Sequence, residues 1–486
     1  MKKSTSIPSI FKNRNPDLVT MFAEAGHPRN VMCVGLDYAK ATHTVLIANG
    51  EGQELKEVLD VFNTPKGVAF LLGEVNRLCR KHSIAPKHVC FGGEDCGGFA
   101  NNFIYALNMA GYRVVGFNAK DAKNQRENYQ ASTDKLDLLG ILKMLLDKRG
   151  VTRAAAAEGH DVLRKLTRHR NGLTISQTSV GNRIHDLVDQ LSPGFLDEKK
   201  SGIPPFSKAS LVLMEDQFSA HRLAKRNREA LVKKLKAVGL QQAEAKAAQL
   251  QAYAALTLGG DPLLAGALQS ALSHEVRLHR TLSDCMGQSD KEIALRLASC
   301  PGALLTATRG IGMVLAAYVY AELSVDAPSK AIRRSVSYAG IVPRSEQTGG
   351  SDKPAIQIRV SRRCNHRLKN SVVQCGNHMG QHGPCELKED HARRTANGQH
   401  ADFGISRRYL RMSIHLMRTG EVYKPKALRD HASMEALRAY YLELWPFVRT
   451  KWKKAGALEV AFQRDNPLGQ WRERVEAVYQ IQLPLT

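Results

Sequence analysis

No run of about 18 apolar residues occurs anywhere in the 486-residue chain, so a membrane-spanning helix is not expected. The start, MKKSTSIPSIFKNRNPDLV, opens on two lysines but lacks the apolar segment of a secretory signal, and none is expected. Regular cysteine spacing is missing too. The nine cysteines, an odd number scattered from Cys33 to Cys385, suggest no disulfide framework and fit a reducing cytoplasm. Acids are scarce: 46 Asp and Glu against 70 Lys and Arg leave a formal charge of +24. That surplus points to a polyanionic partner, because Lys and Arg facing phosphates gain affinity by counterion release. Charge alone does not separate DNA, RNA and an anionic membrane. What is plentiful is apolar surface: 43% hydrophobic residues suffice for packed cores rather than a disordered basic tail, and the length favours about three domains.

Residues 1–30 are polar, carry Pro8, Pro16 and Pro28, and read as an N-terminal arm with one short helix. Structure begins at Val31. Val31 to Asp37, His43 to Asn49 and Gln53 to Phe62 read as three short strands in an antiparallel meander. Thr64-Pro65 then caps an amphipathic helix bearing Val68, Leu71, Leu72, Val75, Leu78 and Cys79 at helical spacing. The pattern continues as strand His88 to Gly92, helix Phe99 to Ala110, strand Arg113 to Phe117 and helix Asp134 to Asp147, which implies parallel additions to the sheet. Antiparallel strands followed by βαβα is the order of an α/β ribonuclease-H-like domain, here residues 31–153. The actin-like ATPase fold opens the same way.

Residues 154–298 are helical. Val180, Ile184, Leu187 and Leu191 form one 4-3-4 seam, and Leu268, Leu272, Val276, His279, Leu282 and Met286 a similar one, separated by a break around Pro204-Pro205. An antiparallel helical arm or coiled coil is expected, with a plain helical bundle as the alternative. Residues 299–425 form a further, mainly α domain. Its loop Thr308-Arg309-Gly310-Ile311-Gly312 precedes the apolar helix Val314 to Leu323, so backbone N–H groups there could approach a phosphate as in a helix-hairpin-helix element. Residues 426–486 are a helical extension holding Trp445, Trp452 and Trp471, for which helix packing is preferred over base stacking.

Four acids of the first domain stand out. Asp37 ends the first strand, Glu94 lies just past the fourth, and Asp134 and Asp137 share one helix face at i, i+3. Clustered carboxylates repel unless cations neutralise them, and hard Mg²⁺ prefers such oxygen ligands. Two ions about 4 Å apart can activate a nucleophilic oxygen and stabilise a leaving one in phosphoryl transfer. Taken singly, Asp134 is an N-cap, Asp137 a first-turn acid and Glu94 a solvated loop residue.

The segments VGLDYAKATHTVLIA, FGGEDCGGFANNFIYALNMAGYRVVGFNAKDAK and STDKLDLLGIL resemble the N-terminal domain of the insertion sequence 110 family of transposases. RGIGMVLAAYVYAEL, VSYAGIVPRSEQTGG and RVSRRCNHRLKNSV resemble that family's second domain, and LRKLTRHRNGL to LVDQLSPGF its connecting coiled coil. The resemblance covers residues 31 to 425. It implies a RuvC-like domain in which Asp37, Glu94, Asp134 and Asp137 are the DEDD set binding Mg²⁺ or Mn²⁺, a bridge RNA pairing with donor and target DNA, tetramers, and a bacterial, nucleoid-associated location. It also implies a hydroxyl nucleophile after Gly340-Ile341-Val342-Pro343. The family has serine there; this chain has Thr348, with Ser345 and Ser351 nearby. Threonine's extra methyl stiffens χ1 and demands tighter positioning. Arg344, Arg359, Arg362, Arg363 and Arg367 could hold phosphate oxygens.

Cys375, His378, His382 and Cys385 are possible zinc ligands at a spacing that matches no standard finger. Three competing functions remain at this level. One is a stand-alone RuvC-like nuclease or Holliday-junction resolvase, another a non-catalytic nucleic-acid scaffold. The third is an actin-like ATPase or sugar kinase, suggested by Val34-Gly35-Leu36-Asp37 but wanting further glycine-rich loops that the chain lacks.

Overall fold

Short apolar stretches between Met32 and Phe62 form strands β1 (Met32–Asp37), β2 (Thr42–Asn49) and β3 (Glu54–Phe62), joined by short polar turns. The computed structural model describes residues 14–94, 98–125, 134–153, 159–216, 218–323, 335–346, 356–360, 364–399, 401–429 and 432–485. They fall into two units, Met1–Glu158 and Gly159–Thr486.

In the first unit the remaining elements are α1 (Pro16–Glu24), α2 (Pro65–Lys81), β4 (Val89–Glu94), α3 (Asn101–Met109), β5 (Arg113–Phe117), α4 (Ala119–Lys123), α5 (Asp134–Leu146) and β6 (Val151–Thr152). As the Thr64-Pro65 pair predicts, the Thr64 hydroxyl accepts from Gly67 N at the start of α2. The sheet order is β3-β2-β1-β4-β5-β6. β2 is antiparallel to β1 and β3, whereas β4 and β5 add in parallel. β6 is an addition to the strands expected from the sequence. It pairs antiparallel with β5 over two residues, after a turn in which Lys148 (φ 57°) and Gly150 (φ 94°) take left-handed backbone.

Period-two alternation divides the strand residues between two cores. Met32, Val34, Leu36, Phe91 and Val114 meet α2 and α3, while Cys33, Cys90 and Val115 meet α1 and α5. The orientation of α5 follows from the glycines beneath it. A Cβ at Gly35 would stand 3.1 Å from Leu142, and one at Gly52, in the turn beyond Asn49, would stand 3.4 Å from Leu146. Asn49 pairs with Met32, so α5 runs from the Asp37 end of β1 back toward its start.

The second unit is mostly helical. Helices α6 (Gly159–Leu191) and α12 (Pro262–Ala298) run antiparallel along each other. Polar pairs set their register: Arg170 with Asp290 at 2.9 Å, Gln177 with Ser283 at 2.7 Å, and Arg183 with Glu275 at 2.8 and 2.9 Å. Toward Leu191 the seam turns apolar. Val180, Ile184, Leu191, Leu272 and Val276 are buried, and Leu187 partly so, beneath the short helices α7 (Glu198–Ser201), α8 (Lys208–Glu215), α9 (Ala220–Lys225), α10 (Arg228–Ala237) and α11 (Ala243–Leu256). The pair therefore ends in a small bundle head.

A second core joins the base of α6 and α12 to a 3₁₀ segment Pro301–Ala307, α13 (Met313–Glu322), helices His366–His382, Cys385–Ala396, Ala401–Thr419 and Met434–Lys454, and the chain as far as Leu483. All three tryptophans are buried in it, and Trp452 Nε1 donates to the Thr306 hydroxyl at 3.0 Å.

One carboxylate, Glu322, sits inside this core with its side chain 2% exposed. Arg168 grips it with two bonds of 2.9 and 3.1 Å, and Asn365 Nδ2 donates at 2.8 Å. Burial pushes its pKa up, but these donors outweigh burial and leave it below the usual 4.5. A carboxyl lowered by folding holds its proton less firmly than in the unfolded chain. Its contribution to stability is therefore present above about pH 4.5 and fades as pH falls through the lowered folded value. Arg168→Ala, which strands the carboxylate, is expected to cost about 2–3 kcal/mol at neutral pH, less than for a fully buried pair because Arg168 is 41% exposed. Glu322→Gln is expected to flatten the acid decline, and urea midpoints measured at neutral and acidic pH check both.

Candidate active site

β1 and β4 end on acids. Asp37 and Glu94 are the last residues of their strands and are Cα partners across the parallel pair, so a single strand spacing, about 4.8 Å, separates their backbones. Both are half-buried. The pleat that sends Cys33 and Gly35 toward α5 sends Asp37 the same way, and Cys90 and Gly92 do so for Glu94.

The glycine pair before Glu94 has a packing cause on each face. A Cβ at Gly92 would stand 2.7 Å from the Phe117 ring and 2.8 Å from Leu145, so glycine lets α5 settle close to the sheet. On the other face, a Cβ at Gly93 would stand 2.5 Å from the Tyr38 ring. His43, fully buried, accepts from Ala39 N at 3.2 Å and packs edge-on against Tyr38 and Phe103. It thereby holds the turn that follows Asp37.

α5 brings the other two acids toward the same strand ends. Its first residue is Asp134, whose side chain lies outside the described residues. Asp137 follows one turn later, next to Leu138, which is buried in the core under α5. Oxygen-only donors of like charge, carried on two strand ends and the helix on that face, suit a hard divalent ion better than a soft one. Among the described residues no three His, Cys, Asp or Glu side chains form a metal-holding group, so Asp37, Glu94 and Asp137 alone are not a closed ligand shell.

The candidate nucleophiles belong to the second unit. Strands β7 (Pro343–Glu346) and β8 (Ile356–Val360) pair antiparallel, with Ser345 opposite Gln357 and Arg344 opposite Ile358. Thr348 and Ser351 fall in the connection between them, outside the described residues, as do Arg362 and Arg363. Arg359 lies on β8, and Arg367 is exposed in the first turn of helix His366–His382. Asn365 caps that helix by accepting from Arg367 N and Leu368 N, while its amide reaches Glu322 and the Tyr338 hydroxyl. Glu322 thus fixes the base from which the hairpin departs.

In the Thr308 to Gly312 loop, Gly310 has a left-handed φ of 86°, and a Cβ there would stand 3.0 Å from the His378 carbonyl. Lys451 closes the loop by donating to Thr306 O at 2.5 Å and Ile311 O at 2.7 Å, with its ammonium 4.2 Å from the Phe447 ring centre. Burial lowers its pKa to about 7.

Of the four zinc candidates, Cys375 is fully buried while His378 and His382 are exposed, and the Cys385 side chain lies outside the described residues. Burial raises the Cys375 thiol to about 12.

His43, Glu322 and Lys451 were not legible as positioning residues in the sequence. For Glu322 a signal existed, an acid closing an otherwise apolar helix. Lys451 acts through Thr306 and Ile311, far away in the sequence, and His43 packs on the equally non-local Phe103.

No helix among the described residues is long and apolar enough to cross a membrane. A family model described as Transposase, for the DEDD domain of IS110 elements, matches residues 34–193. A second, described as Transposase IS116/IS110/IS902 family, matches residues 302–391. None of the curated proteins compared with the chain matches it. The first match runs through the first unit and on through α6 of the second, the other lies within the second unit, and together they take in just over half of the chain. A mixed α/β sheet region followed by a mostly helical remainder suits the first of them, and the family implies DNA substrates that are cut and rejoined, with a divalent metal at the DEDD domain. The chain belongs to the IS110 family of transposases.

Proposed function

We propose that the chain is an insertion-sequence recombinase in which Asp37, Glu94, Asp134 and Asp137 hold Mg²⁺ or Mn²⁺ and the Thr348 hydroxyl is the nucleophile. The observation that carries this is the register of Asp37 with Glu94 at one end of the sheet, on the face covered by the helix of Asp134 and Asp137. The sheet order, with β2 antiparallel between β1 and β3 and β4 and β5 added in parallel, supports a ribonuclease-H-like, RuvC-type domain. A divalent ion bound at the acids supplies charge neutralisation for the phosphate oxygens as negative charge builds on them.

The residues of the chain divide the remaining work. The Thr348 oxygen attacks a backbone phosphorus, forming a P–O bond to the enzyme as the P–O bond to deoxyribose breaks. The Thr348 hydroxyl releases its proton as the bond forms and the departing sugar oxygen takes one up, so the step leaves the proton count unchanged. Attack by a hydroxyl of the second DNA on the same phosphorus reverses the exchange, restores Thr348 and conserves the bond. Arg344, Arg359, Arg362, Arg363 and Arg367 orient the phosphate by donating to its non-bridging oxygens. Following the family resemblance, a bridge RNA selects donor and target, and the working form is a tetramer.

Asp37→Asn and Glu94→Gln are each expected to lower strand cleavage by about a hundredfold or more. Thermal stability should be unchanged or higher, because neutral amides relieve the repulsion between neighbouring acids. Cleavage assays on supercoiled donor plasmid, run beside thermal melts, read both, and full activity in either variant would remove the four-acid site.

Thr348→Ala is expected to abolish the covalent protein–DNA adduct seen on denaturing gels, and Thr348→Ser to keep it. Undiminished strand exchange with Thr348, Ser345 and Ser351 all replaced by Ala would remove the covalent route and leave the stand-alone nuclease or resolvase.

A further inference from the structure

The head of the helical arm carries a concentration of positive charge that the catalytic proposal does not use. Between His221 and Lys236 the chain has seven Lys and Arg against a single acid, Glu229. Three of these side chains meet His221 on α9 and the residue after it: His221, Arg222, Lys225 and Arg226 line a cavity of about 260 Å³, and the lining contains no carboxylate and no Phe, Tyr or Trp. His221 and Arg222 also border an adjoining cavity of about 430 Å³ that runs to Gly259 and Gly260. Asp261, which also lines that second cavity, accepts from Leu263 N and Leu264 N at the start of α12.

A solvated basic face would leave each cation in water, and Arg226 departs from that. Its Nη2 donates to Asp216 at 2.6 Å, an acid that also receives Lys234 at 2.7 Å. Its Nη1 is sealed from solvent and has no hydrogen-bond partner among the described residues. A buried guanidinium N–H without an acceptor is unfavourable, which sets Arg226 apart from a freely solvated cation.

We propose that this cavity is a docking point for the backbone phosphates of a nucleic acid, distinct from the strand-exchange chemistry. It rests on the reading of the chain as a recombinase, which supplies the nucleic acid. With no Phe, Tyr or Trp in the lining and three cations beside His221, the contact is to phosphate and independent of sequence.

The test uses the full chain with two fluorescent probes, a duplex DNA and a hairpin RNA of equal length, followed by anisotropy across a salt titration. Arg222→Ala with Lys225→Ala is expected to weaken binding of one or both probes about tenfold near physiological salt, and to lower the slope of log affinity against log salt by about 1 to 2. The probe that loses affinity identifies the source of the phosphates. Arg464→Ala with Lys454→Ala, an equal loss of exposed charge elsewhere, serves as the control. Unchanged affinity and slope for both probes, an equal effect in the control pair, or no binding of either probe by the unaltered chain overturns the proposal. Asp37→Asn is carried in parallel. If it still cleaves DNA, the catalytic reading fails while the docking result stands on its own.

Discussion

Two carboxylates on adjacent strands repel one another, and the pairing of β1 with β4 obliges Asp37 and Glu94 to stand side by side. Much of the first unit is arranged around that arrangement. Gly92 keeps the face open for α5, Gly93 makes room for Tyr38, and His43 holds the turn after Asp37. Rigid backbone at the strand ends means that the acids cannot relax apart by moving loops. Such a cluster costs stability, as expected where local design rules yield to function.

The second unit solves a different problem, the support of a polar hairpin on an apolar core. Glu322 is its anchor: one buried carboxylate joins α6 through Arg168 to the cap of helix His366–His382 through Asn365. From the same core, α6 and α12 extend as a pair whose register is set by polar contacts and whose end is closed by the apolar head. Lys451 binds the last helices to the glycine-containing loop before α13.

Sequence pattern made much of this visible, and its limits have physical causes. Short apolar runs bounded by turns and the Thr64-Pro65 cap are local signals, so β1 to β5 and α2 fall within a few residues of their expected places. The acids were legible because their positions follow from strand ends and an i, i+3 spacing. The antiparallel β6 was not, since a two-residue strand carries no periodicity and its direction depends on the turn at Lys148 and Gly150. Nor was the bundle head. The heptad-like spacing of Val180, Ile184 and Leu191 predicts an apolar seam but does not say that α7 to α11, rather than a partner helix alone, cover it. The mid-arm pairs of Arg170 with Asp290 and Arg183 with Glu275 link residues 120 and 92 positions apart, beyond any local pattern.

On the proposed reading the charge surplus has a simple division: a small acidic site for cations within a chain whose positive charge faces phosphates. Whether the four acids hold the ion is open to direct observation by anomalous diffraction from crystals grown with Mn²⁺ and duplex DNA. The account predicts anomalous peaks within ligand distance of Asp37 and Glu94, absent from crystals of the Asp37→Asn variant. Mn²⁺ bound elsewhere on the chain with none at these acids, in crystals that contain the DNA, would contradict it.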